Sequence, residues 1–251
     1  MATYDLKDRS AIVTGGGSGI GRSVAHALAE NGASVLVADL SQASAEKVVA
    51  EISELGGTAE AFVGNVADYD VNVAMVAAAG ELAPLKVAVN NAGIGGEAAP
   101  IAEYSLDSWH KVMDVNLNAV FYALKAQIPA MLAAGGGSIV NMASVLGSVG
   151  IQGSSAYVTT KHAVIGMTKN AGLEYSAQGV RVNAIGPGFI ATPLLDANLS
   201  EDVKAALAAQ HAVGRLGLPA EVAALTAFLA SDAASFITGS YHLVDGGYAA
   251  H

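Results

Sequence analysis

The sequence contains no cysteine and only one tryptophan among its 251 residues, and charged residues are scarce, at 14%. The lack of cysteine excludes disulfide bonds, thiolate metal sites and a cysteine nucleophile. The charged fraction lies well below the roughly 25% of an average globular protein, whereas apolar residues make up 53% of the chain. The chain must therefore bury much of its surface, and we expect both a sheet covered on its two faces and contacts between subunits.

Positive charge is the scarcer sign, because 12 Lys and Arg residues face 22 Asp and Glu residues and leave a net charge of −10. Nucleic acid and anionic membranes need a positive footprint, so neither is expected as a partner. No uninterrupted apolar run approaches the ~20 residues of a membrane span, and the N-terminal residues contain no apolar signal core. We expect a cytoplasmic protein.

Short β-rich runs alternate along the chain with longer alanine-rich segments of helical character. The runs, several of them apolar nearly throughout, are residues 11–13, 34–37, 61–63, 86–89, 138–140, 180–182 and 241–244. The helical segments between them are residues 19–31, 41–55, 68–83, 105–134, 154–177 and 219–231. This alternation predicts βαβ units and a parallel sheet with helices on both faces. Since no linker or repeat divides the chain, we predict one domain over residues 1–251, a doubly wound α/β Rossmann-type fold of about seven strands.

A glycine-rich turn follows the first predicted strand and leads directly into a predicted helix. It reads Thr14-Gly15-Gly16-Gly17-Ser18-Gly19-Ile20-Gly21. Glycine permits positive φ and a close approach of the backbone to a ligand, and the N-terminus of the following helix favours a phosphate. The spacing Gly-x-x-x-Gly-x-Gly differs from the common Gly-x-Gly-x-x-Gly, but the position between strand and helix predicts a dinucleotide-binding site.

Asp39 stands at the end of the second predicted strand, 18 residues after Gly21. A carboxylate at this point can accept hydrogen bonds from the adenosine ribose hydroxyls and repels a 2′-phosphate. No Arg or Lys stands beside Gly17 or Leu40 to receive such a phosphate. The alternative interpretation is a solvated strand-end residue. With the glycine turn upstream, Asp39 favours NAD over NADP.

Tyr157 and Lys161 are spaced to share one face of a predicted helix. An ammonium beside a phenol favours the phenolate, so we expect Lys161 to lower the pKa of Tyr157 and to fit it for proton exchange near neutral pH. A surface pair on an amphipathic helix is the alternative. Ser144 favours a functional site over a surface pair, because it follows the strand 138–143 at the carboxyl end of the sheet, where open α/β folds bind ligands.

Several motifs remain informative when they are taken together in order and spacing. They are Thr14-Gly15-x-x-x-Gly19-x-Gly21, Asn90-Asn91-Ala92-Gly93, Asn116, Ser144, Tyr157-x-x-x-Lys161 and Pro187-Gly188. In this combination the chain resembles the short-chain dehydrogenase/reductase family from about Lys7 to Tyr248. Within that family it is most similar to NADH-dependent bacterial ketone reductases.

The resemblance implies a set of catalytic roles. Tyr157 would be the general acid/base that protonates the carbonyl as hydride arrives from nicotinamide. Ser144 would orient and polarise the substrate oxygen. Lys161 would bind the nicotinamide ribose as well as tune the tyrosine, and Asn116 would hold a water in a proton relay to solvent.

The resemblance also implies an NAD cleft lined by residues from several loops. Its predicted members are Gly15, Ser18, Gly19, Ile20, Gly21, Asp39, Asn65, Val66, Asn91, Ala92, Gly93, Tyr157, Lys161, Pro187, Gly188, Ile190 and Thr192. Ile190 and Thr192 would engage the carboxamide. Asn65 departs from the aspartate that the family usually places against the adenine amine, but an amide oxygen can still accept that hydrogen bond.

We expect an apolar substrate pocket for a small-molecule ketone or secondary alcohol, closed by a mobile lid from about Ala191 to Val213. Its predicted lining is Ser144, Val145, Leu146, Leu194, Leu195 and Leu199. The six histidines form no ligand cluster, so no catalytic metal is predicted, although relatives in the family can hold a structural ion at the chain end, here His251. The family also implies a homotetramer.

Two alternatives stay open. The chain could be a 3-oxoacyl-carrier-protein reductase, which would prefer NADP and a basic rim for its acidic partner. It could also be a nucleotide-binding relative that has lost its chemistry. The second fits poorly with the presence of Asn116, Ser144, Tyr157 and Lys161 together.

Overall fold

The computed structural model describes residues 4–193, 195 and 200–250, and in these ranges seven strands form one sheet. The strands are β1 (Ser10–Thr14), β2 (Ser34–Asp39), β3 (Thr58–Val63), β4 (Leu85–Asn90), β5 (Gly137–Met142), β6 (Val180–Pro187) and β7 (Tyr241–Val244). Their order is β3-β2-β1-β4-β5-β6-β7, and each neighbouring pair is parallel. The predicted doubly wound sheet is confirmed.

Helices cover both faces of this sheet. They are α1 (Gly19–Glu30), α2 (Gln42–Glu54), α3 (Tyr69–Leu82), α4 (Leu106–Met113), α5 (Ala119–Ala133), α6 (Ser155–Tyr175), α7 (Glu201–Ala209) and α8 (Pro219–Ala230). One prediction needs correction, because the single helical segment 105–134 is interrupted by a π-helical turn at Asp114–Asn118. Within the described ranges, no helix is both long enough and apolar enough to cross a membrane.

Local sequence explains where several helices begin and end. The Ser41 and Ser200 side chains each accept a hydrogen bond from the backbone N–H three residues later, which caps the N-termini of α2 and α7. Gly32 and Gly56 follow α1 and α2 with φ of +96° and +83°, a left-handed conformation that favours glycine. Pro219 opens α8 at the first helical position, where its missing N–H costs nothing.

The apolar side chains form two cores, one on each face of the sheet. In the first core α1, α2 and α8 pack against the strands, with Leu28 and Leu229 fully buried. In the second, α3, α5 and α6 pack on the other face around Met75 and Met131. Because both faces are covered, the strands are apolar nearly throughout instead of alternating.

The sheet order reverses between β1 and β4, which opens a crevice at the carboxyl ends of these strands. Beside it lies a buried polar network. Asn90 and Gln127 exchange hydrogen bonds of 3.2 and 2.8 Å through their side-chain amides, and Asn90 also donates to Asn141. Asn141 in turn donates to the Thr168 hydroxyl over 2.9 Å. The network links β4 and β5 to α5 and α6, and thereby fixes the helix that carries Tyr157.

We expect Gln127→Leu to lower the free energy of unfolding by about 1–3 kcal/mol, because it leaves the buried Asn90 amide without its reciprocal partner. Urea unfolding followed by circular dichroism measures the change. Gln178→Leu is the matched control, since Gln178 is exposed and its replacement should alter stability by no more than about 0.5 kcal/mol. Equal stability of the two variants would contradict a stabilising role for the network.

Candidate active site

The glycine-rich turn between β1 and α1 closes very tightly. Gly15 and Gly19 have φ of +61° and +51°, and a Cβ on Gly21 would lie only 2.0 Å from the Gly15 carbonyl oxygen. Helix α1 begins at Gly19, and the preceding Ser18 gives no side-chain cap. The first N–H groups of a helix have no partner within it. The turn therefore presents backbone donors and a positive helix end to the crevice, which suits a pyrophosphate.

Thr14 joins this turn to the end of β4 across the reversal point. Its hydroxyl oxygen accepts hydrogen bonds from the backbone N–H groups of Asn91 and Ala92, at 3.0 and 3.1 Å. The Asn91 side chain donates back to the Thr14 and Gly15 carbonyls. Two stretches predicted to line the cofactor cleft are thus locked together. The sequence predicts no role for the Thr14 hydroxyl, although Thr14 stands in the glycine-rich motif.

Asp39 is half-buried and points toward the glycine-rich turn. One carboxylate oxygen accepts a hydrogen bond of 2.9 Å from the Gly17 N–H, and the other accepts one of 3.0 Å from the Ser41 N–H. A carboxylate has about four acceptor sites, so capacity for further donors remains. Arg22, the first cation after the turn, is paired with Glu51 at 2.7 Å, and this pairing helps to lower the pKa of Glu51 to about 2.

The predicted adenine-side residues lie in the loop after β3. Asn65 is exposed, and its side-chain oxygen accepts a hydrogen bond of 3.1 Å from the Ala67 N–H. The Asn72 side chain donates to the Val66 carbonyl at 2.8 Å and so fixes the loop to the start of α3. The Asn65 oxygen keeps one further lone pair, which leaves it able to accept a second donor.

Asn116 lies in the π-helical turn between α4 and α5, and it is completely buried. Its amide nitrogen donates to the Ile94 carbonyl and its oxygen accepts from the Ile94 N–H, both at 2.8 Å. A Cβ on Gly93 would lie 3.3 Å from the Asn116 oxygen and 3.7 Å from Lys161 Nζ. The side chain thus holds the loop after β4 close to Lys161, while its predicted relay role stays a prediction. Single π-helical turns are frequent at functional sites.

Lys161 lies on α6 and is only 4% exposed. Its ammonium donates a hydrogen bond of 2.7 Å to the Met142 carbonyl, the last residue of β5. Burial removes water from the charged form and lowers the pKa of Lys161 to about 8. The same ammonium lies 5.4 Å from the ring centroid of Tyr157.

The pKa of Tyr157 corrects one expectation. Burial disfavours the phenolate and raises the pKa of Tyr157, and a hydrogen bond with the Ser144 side chain offsets only part of this rise. The expected lowering by Lys161 does not occur in the chain on its own, because desolvation of the phenol dominates. The Ser144 side chain nevertheless lies close enough to the Tyr157 hydroxyl to lower its pKa, at the carboxyl end of β5 beside Lys161. The structure therefore brings together Tyr157, Ser144 and Lys161, three of the four residues predicted to be catalytic.

The segment after β6 runs from Pro187 back to the glycine-rich turn. Ile190 is buried and forms a parallel bridge with Gly217. A Cβ on Gly19 would lie 3.3 Å from the Thr192 methyl group, so Thr192 packs beside the N-terminus of α1. Gly188 donates its N–H to the Val244 carbonyl at 3.0 Å. Thr192 thus lies beside the glycine-rich turn, and the carboxamide contacts of Ile190 and Thr192 stay predictions.

The predicted substrate pocket is described only in part. Val145 and Leu146 form a buried turn directly after Ser144, and Leu195 is half-buried. Leu194 and Leu199, and His251 with its suggested ion, lie outside the described residues. Among the residues that the structure describes, no group of three or more His, Asp and Glu side chains could hold a metal ion.

These features together fit a nicotinamide dinucleotide. The cradle at Gly15 and Gly21 leaves no room for side chains, and Asp39 stands where a ribose would follow the pyrophosphate. At the other end of the crevice, Lys161 and Tyr157 stand beside Ser144. The residues present therefore suit binding of the dinucleotide at one end and proton exchange at the other.

Comparison with known proteins gives consistent matches over the whole chain. A family model described as Enoyl-(Acyl carrier protein) reductase matches residues 15–249. Cyclohexanol dehydrogenase from Acinetobacter sp. (strain SE19) is 49% identical over 244 residues, which cover 97% of this chain and 96% of that protein. Cis-4-hydroxycyclohexanecarboxylate dehydrogenase from Sinomonas cyclohexanicum is 44% identical over 244 residues, covering 97% of each chain.

Other matches have different substrates or cofactors in their names. A 3-oxoacyl-[acyl-carrier-protein] reductase from Staphylococcus aureus (strain Mu50) is 42% identical over 241 residues, covering 95% of this chain and 97% of that protein. Among solved structures, a protein from Beutenbergia cavernae assigned as an NAD(P)-dependent gluconate 5-dehydrogenase, with NADP bound at low occupancy, superposes with a TM-score of 0.93. It is 39% identical and covers 100% of both chains.

We expect the buried ammonium of Lys161 to make stability depend on pH. Below about pH 8 the folded chain buries the charge, whereas between about pH 8 and 10.5 only the unfolded chain keeps the proton. The unfolded state then binds more protons, so the free energy of unfolding rises with pH in this window. The difference in free energy of unfolding between the wild type and Lys161→Met should shift by about 3 kcal/mol in favour of the wild type from about pH 8 to 10.5. Urea unfolding at a series of pH values measures this shift.

Lys169→Met is the control, because Lys169 lies exposed on the same helix. The difference in free energy of unfolding between Lys169→Met and the wild type should stay constant over the same pH range. A difference between wild type and Lys161→Met that does not change with pH would contradict the depressed pKa of Lys161.

Proposed function

Because this chain belongs to the short-chain dehydrogenase/reductase family, we propose that it is an NAD(H)-dependent dehydrogenase that interconverts an apolar secondary alcohol and its ketone. The observation that carries the proposal is the meeting of Tyr157, Ser144 and Lys161 at the carboxyl end of β5. Open α/β sheets bind ligands at this edge.

A nicotinamide dinucleotide bound in the crevice would supply or accept the hydride. The residues of the chain handle the proton. Burial raises the pKa of Tyr157, so its hydroxyl is protonated at neutral pH and can donate to the oxygen of a ketone. Ser144, which lies beside Tyr157, would orient the same oxygen. Lys161, with a pKa of about 8, carries its charge at neutral pH and would stabilise the phenolate left after proton transfer.

The preference for NAD over NADP rests on Asp39. Its carboxylate is held in place by the Gly17 and Ser41 N–H groups and keeps acceptor capacity for ribose hydroxyls. Arg22, the first cation after the turn along the chain, is paired with Glu51. A 2′-phosphate would therefore meet a fixed negative charge at Asp39. Because the related protein from Beutenbergia cavernae was solved with NADP bound, the preference of this chain for NAD over NADP calls for a direct test.

The substrate class rests on the composition of the site and on the names of relatives. Val145 and Leu146 follow Ser144 and are apolar, and Leu195 continues this character in the segment that leads to α7. Two relatives that cover nearly the whole chain are named for hydroxylated six-membered rings. We therefore propose a cyclic or otherwise bulky apolar alcohol or ketone, with the lid between residues 191 and 213 closing over it.

The proposed assembly is a homotetramer. Apolar side chains stand exposed on α5 and α6, with Phe121 at 50% and Leu173 at 85% exposure, and these support burial against other subunits. The cytoplasmic location stays a prediction of the sequence.

The proposed function predicts reduction of cyclohexanone and aryl methyl ketones with NADH, and loss of that activity in Tyr157→Phe. The variant lacks the proton donor but keeps the ring, so the rate should fall about 10²–10⁴-fold while the Kd for NADH, measured by fluorescence, stays within about twofold. Tyr175→Phe, half-buried on the same helix, should keep wild-type activity. Wild-type activity in Tyr157→Phe would overturn the mechanism.

The same assay tests the alternatives when a 3-oxoacyl thioester is added to the ketones, and the reverse assay with NAD+ compares a polyhydroxy acid with cyclohexanol. A 3-oxoacyl thioester reduced far better than any apolar ketone would favour the carrier-protein reductase. A polyhydroxy acid that is oxidised far better than cyclohexanol would contradict the proposed apolar pocket.

The role of Asp39 predicts a kcat/KM at least about tenfold higher with NADH than with NADPH. One charge pair at ~4 Å costs about 4 kcal/mol at an effective dielectric constant of ~20, and a tenfold preference needs only about 1.4 kcal/mol. Asp39→Ser should lower the ratio of kcat/KM with NADH to kcat/KM with NADPH. The double variant Asp39→Ser/Leu40→Arg should lower this ratio further, because the arginine can pair with the 2′-phosphate. Asp107→Ser, at an exposed acid on α4, removes the same charge elsewhere and should leave the ratio unchanged. A wild type that favours NADPH would contradict the assignment.

A further inference from the structure

Tyr241 makes a contact that the proposed mechanism does not use. It is the first residue of the edge strand β7, and its hydroxyl donates a hydrogen bond of 2.6 Å to the backbone carbonyl of Ser144. The two residues are 97 positions apart in the chain. Strand β6 lies between β7 and β5, so the tyrosine ring must pass over one strand to reach the end of another.

Gly186 makes that passage possible. A Cβ at position 186 would lie 2.2 Å from the Tyr241 hydroxyl oxygen and 2.5 Å from two carbons of its ring. The ring therefore occupies the space that any side chain on this part of β6 would fill. Gly186 is not in the left-handed region, so its conformation alone does not require glycine. The close approach of Tyr241 does.

The hydroxyl of Tyr241 completes the hydrogen bonding of the Ser144 carbonyl. This oxygen also accepts the Gly147 N–H at 2.8 Å, so both of its lone pairs are used. Just before it, Ala143 donates its N–H to the Ile185 carbonyl at 2.8 Å. The backbone of Ser144 is thus held on both sides by β6 and β7, and the Ser144 hydroxyl oxygen accepts the Leu146 N–H at 3.2 Å.

Burial raises the pKa of Tyr241, which keeps its hydroxyl a donor over the working pH range. The turn Val145–Gly147, which follows Ser144, packs closely against α6. A Cβ on Gly147 would lie only 3.0 Å from the Lys161 carbonyl oxygen. The turn that follows Ser144 therefore lies pressed against α6, and Tyr241 supports it from the direction of the sheet.

We propose that Tyr241 is a positioning residue that sets the orientation of the Ser144 hydroxyl through the Ser144 carbonyl, with Gly186 as the space it requires. The inference rests on the proposed function, since it matters only if Ser144 acts on the substrate oxygen. A misplacement of a catalytic group by about 1 Å can lower the rate of the chemical step about 10²-fold.

The test is Tyr241→Phe, which keeps the ring over Gly186 and removes only the donor. Loss of one hydrogen bond corresponds to a fall in kcat of about fivefold to tenfold. The KM for ketone and the Kd for NADH, measured by fluorescence, should stay within about twofold. Tyr175→Phe is the control, because Tyr175 packs against the same core and lies outside the proposed site.

A double-mutant cycle with Ser144→Ala separates positioning from general support of the fold. If Tyr241 acts through the Ser144 hydroxyl, Tyr241→Phe should change the residual kcat by less than about twofold once that hydroxyl is gone. An equal loss in both backgrounds would show a merely structural role and overturn the inference. Full activity of Ser144→Ala would instead overturn the proposed role of Ser144.

Gly186→Ala gives a second, independent measurement, because it displaces the ring while leaving the Tyr241 hydroxyl in the sequence. Its kcat should fall at least as far as that of Tyr241→Phe, with the thermal midpoint of each variant recorded as a check on folding. Normal kcat in both Gly186→Ala and Tyr241→Phe, together with a reduced kcat in Ser144→Ala, would refute the positioning role and leave the proposed function standing.

Discussion

The candidate site depends on one contact, the hydrogen bond from the buried Lys161 ammonium to the Met142 carbonyl at the end of β5. Burying a cation is costly unless it is hydrogen-bonded, and the cost appears here as the lowered pKa of Lys161. The contact ties α6 to the carboxyl end of β5. Tyr157 lies on that helix and Ser144 follows that strand, so this attachment brings them together, supported by the polar network that links Asn141 to Thr168.

Much of this arrangement could be predicted from the sequence, because it follows from rules that act locally. Apolar runs of strand length separated by helical segments specify a parallel sheet covered on both faces, and all seven runs are strands. Parallel strands place their carboxyl ends at one edge, so the residues that follow β1, β2 and β5 had to converge there. The glycine-rich turn follows β1 and Asp39 ends the neighbouring β2 for this reason, and the hydrogen bond from the Gly17 N–H to Asp39 is the direct result.

What could not be predicted depends on contacts between distant segments or on burial. No break in the sequence marks the π-helical turn at residues 114–118, where the Asn116 side chain bonds to Ile94, 22 positions earlier in the chain. The sign of the Tyr157 pKa shift depends on how much water the fold removes from the phenol, which spacing to Lys161 does not reveal. Likewise, Gly186 looks like an ordinary small residue before Pro187 until the ring of Tyr241 is found above it.

Burial displaces the pKa values of Tyr157 and Lys161 in opposite directions, and both displacements favour the uncharged form. Near pH 7 the phenol is still neutral and the amine, with a pKa of about 8, is still mostly charged. This is the protonation state in which a tyrosine can give its proton to a ketone. When it does so, the phenolate forms beside an existing ammonium, and in a site poor in water their attraction is much stronger than in solution. The burial that makes the isolated phenolate unfavourable therefore also strengthens the ion pair that stabilises it during proton transfer.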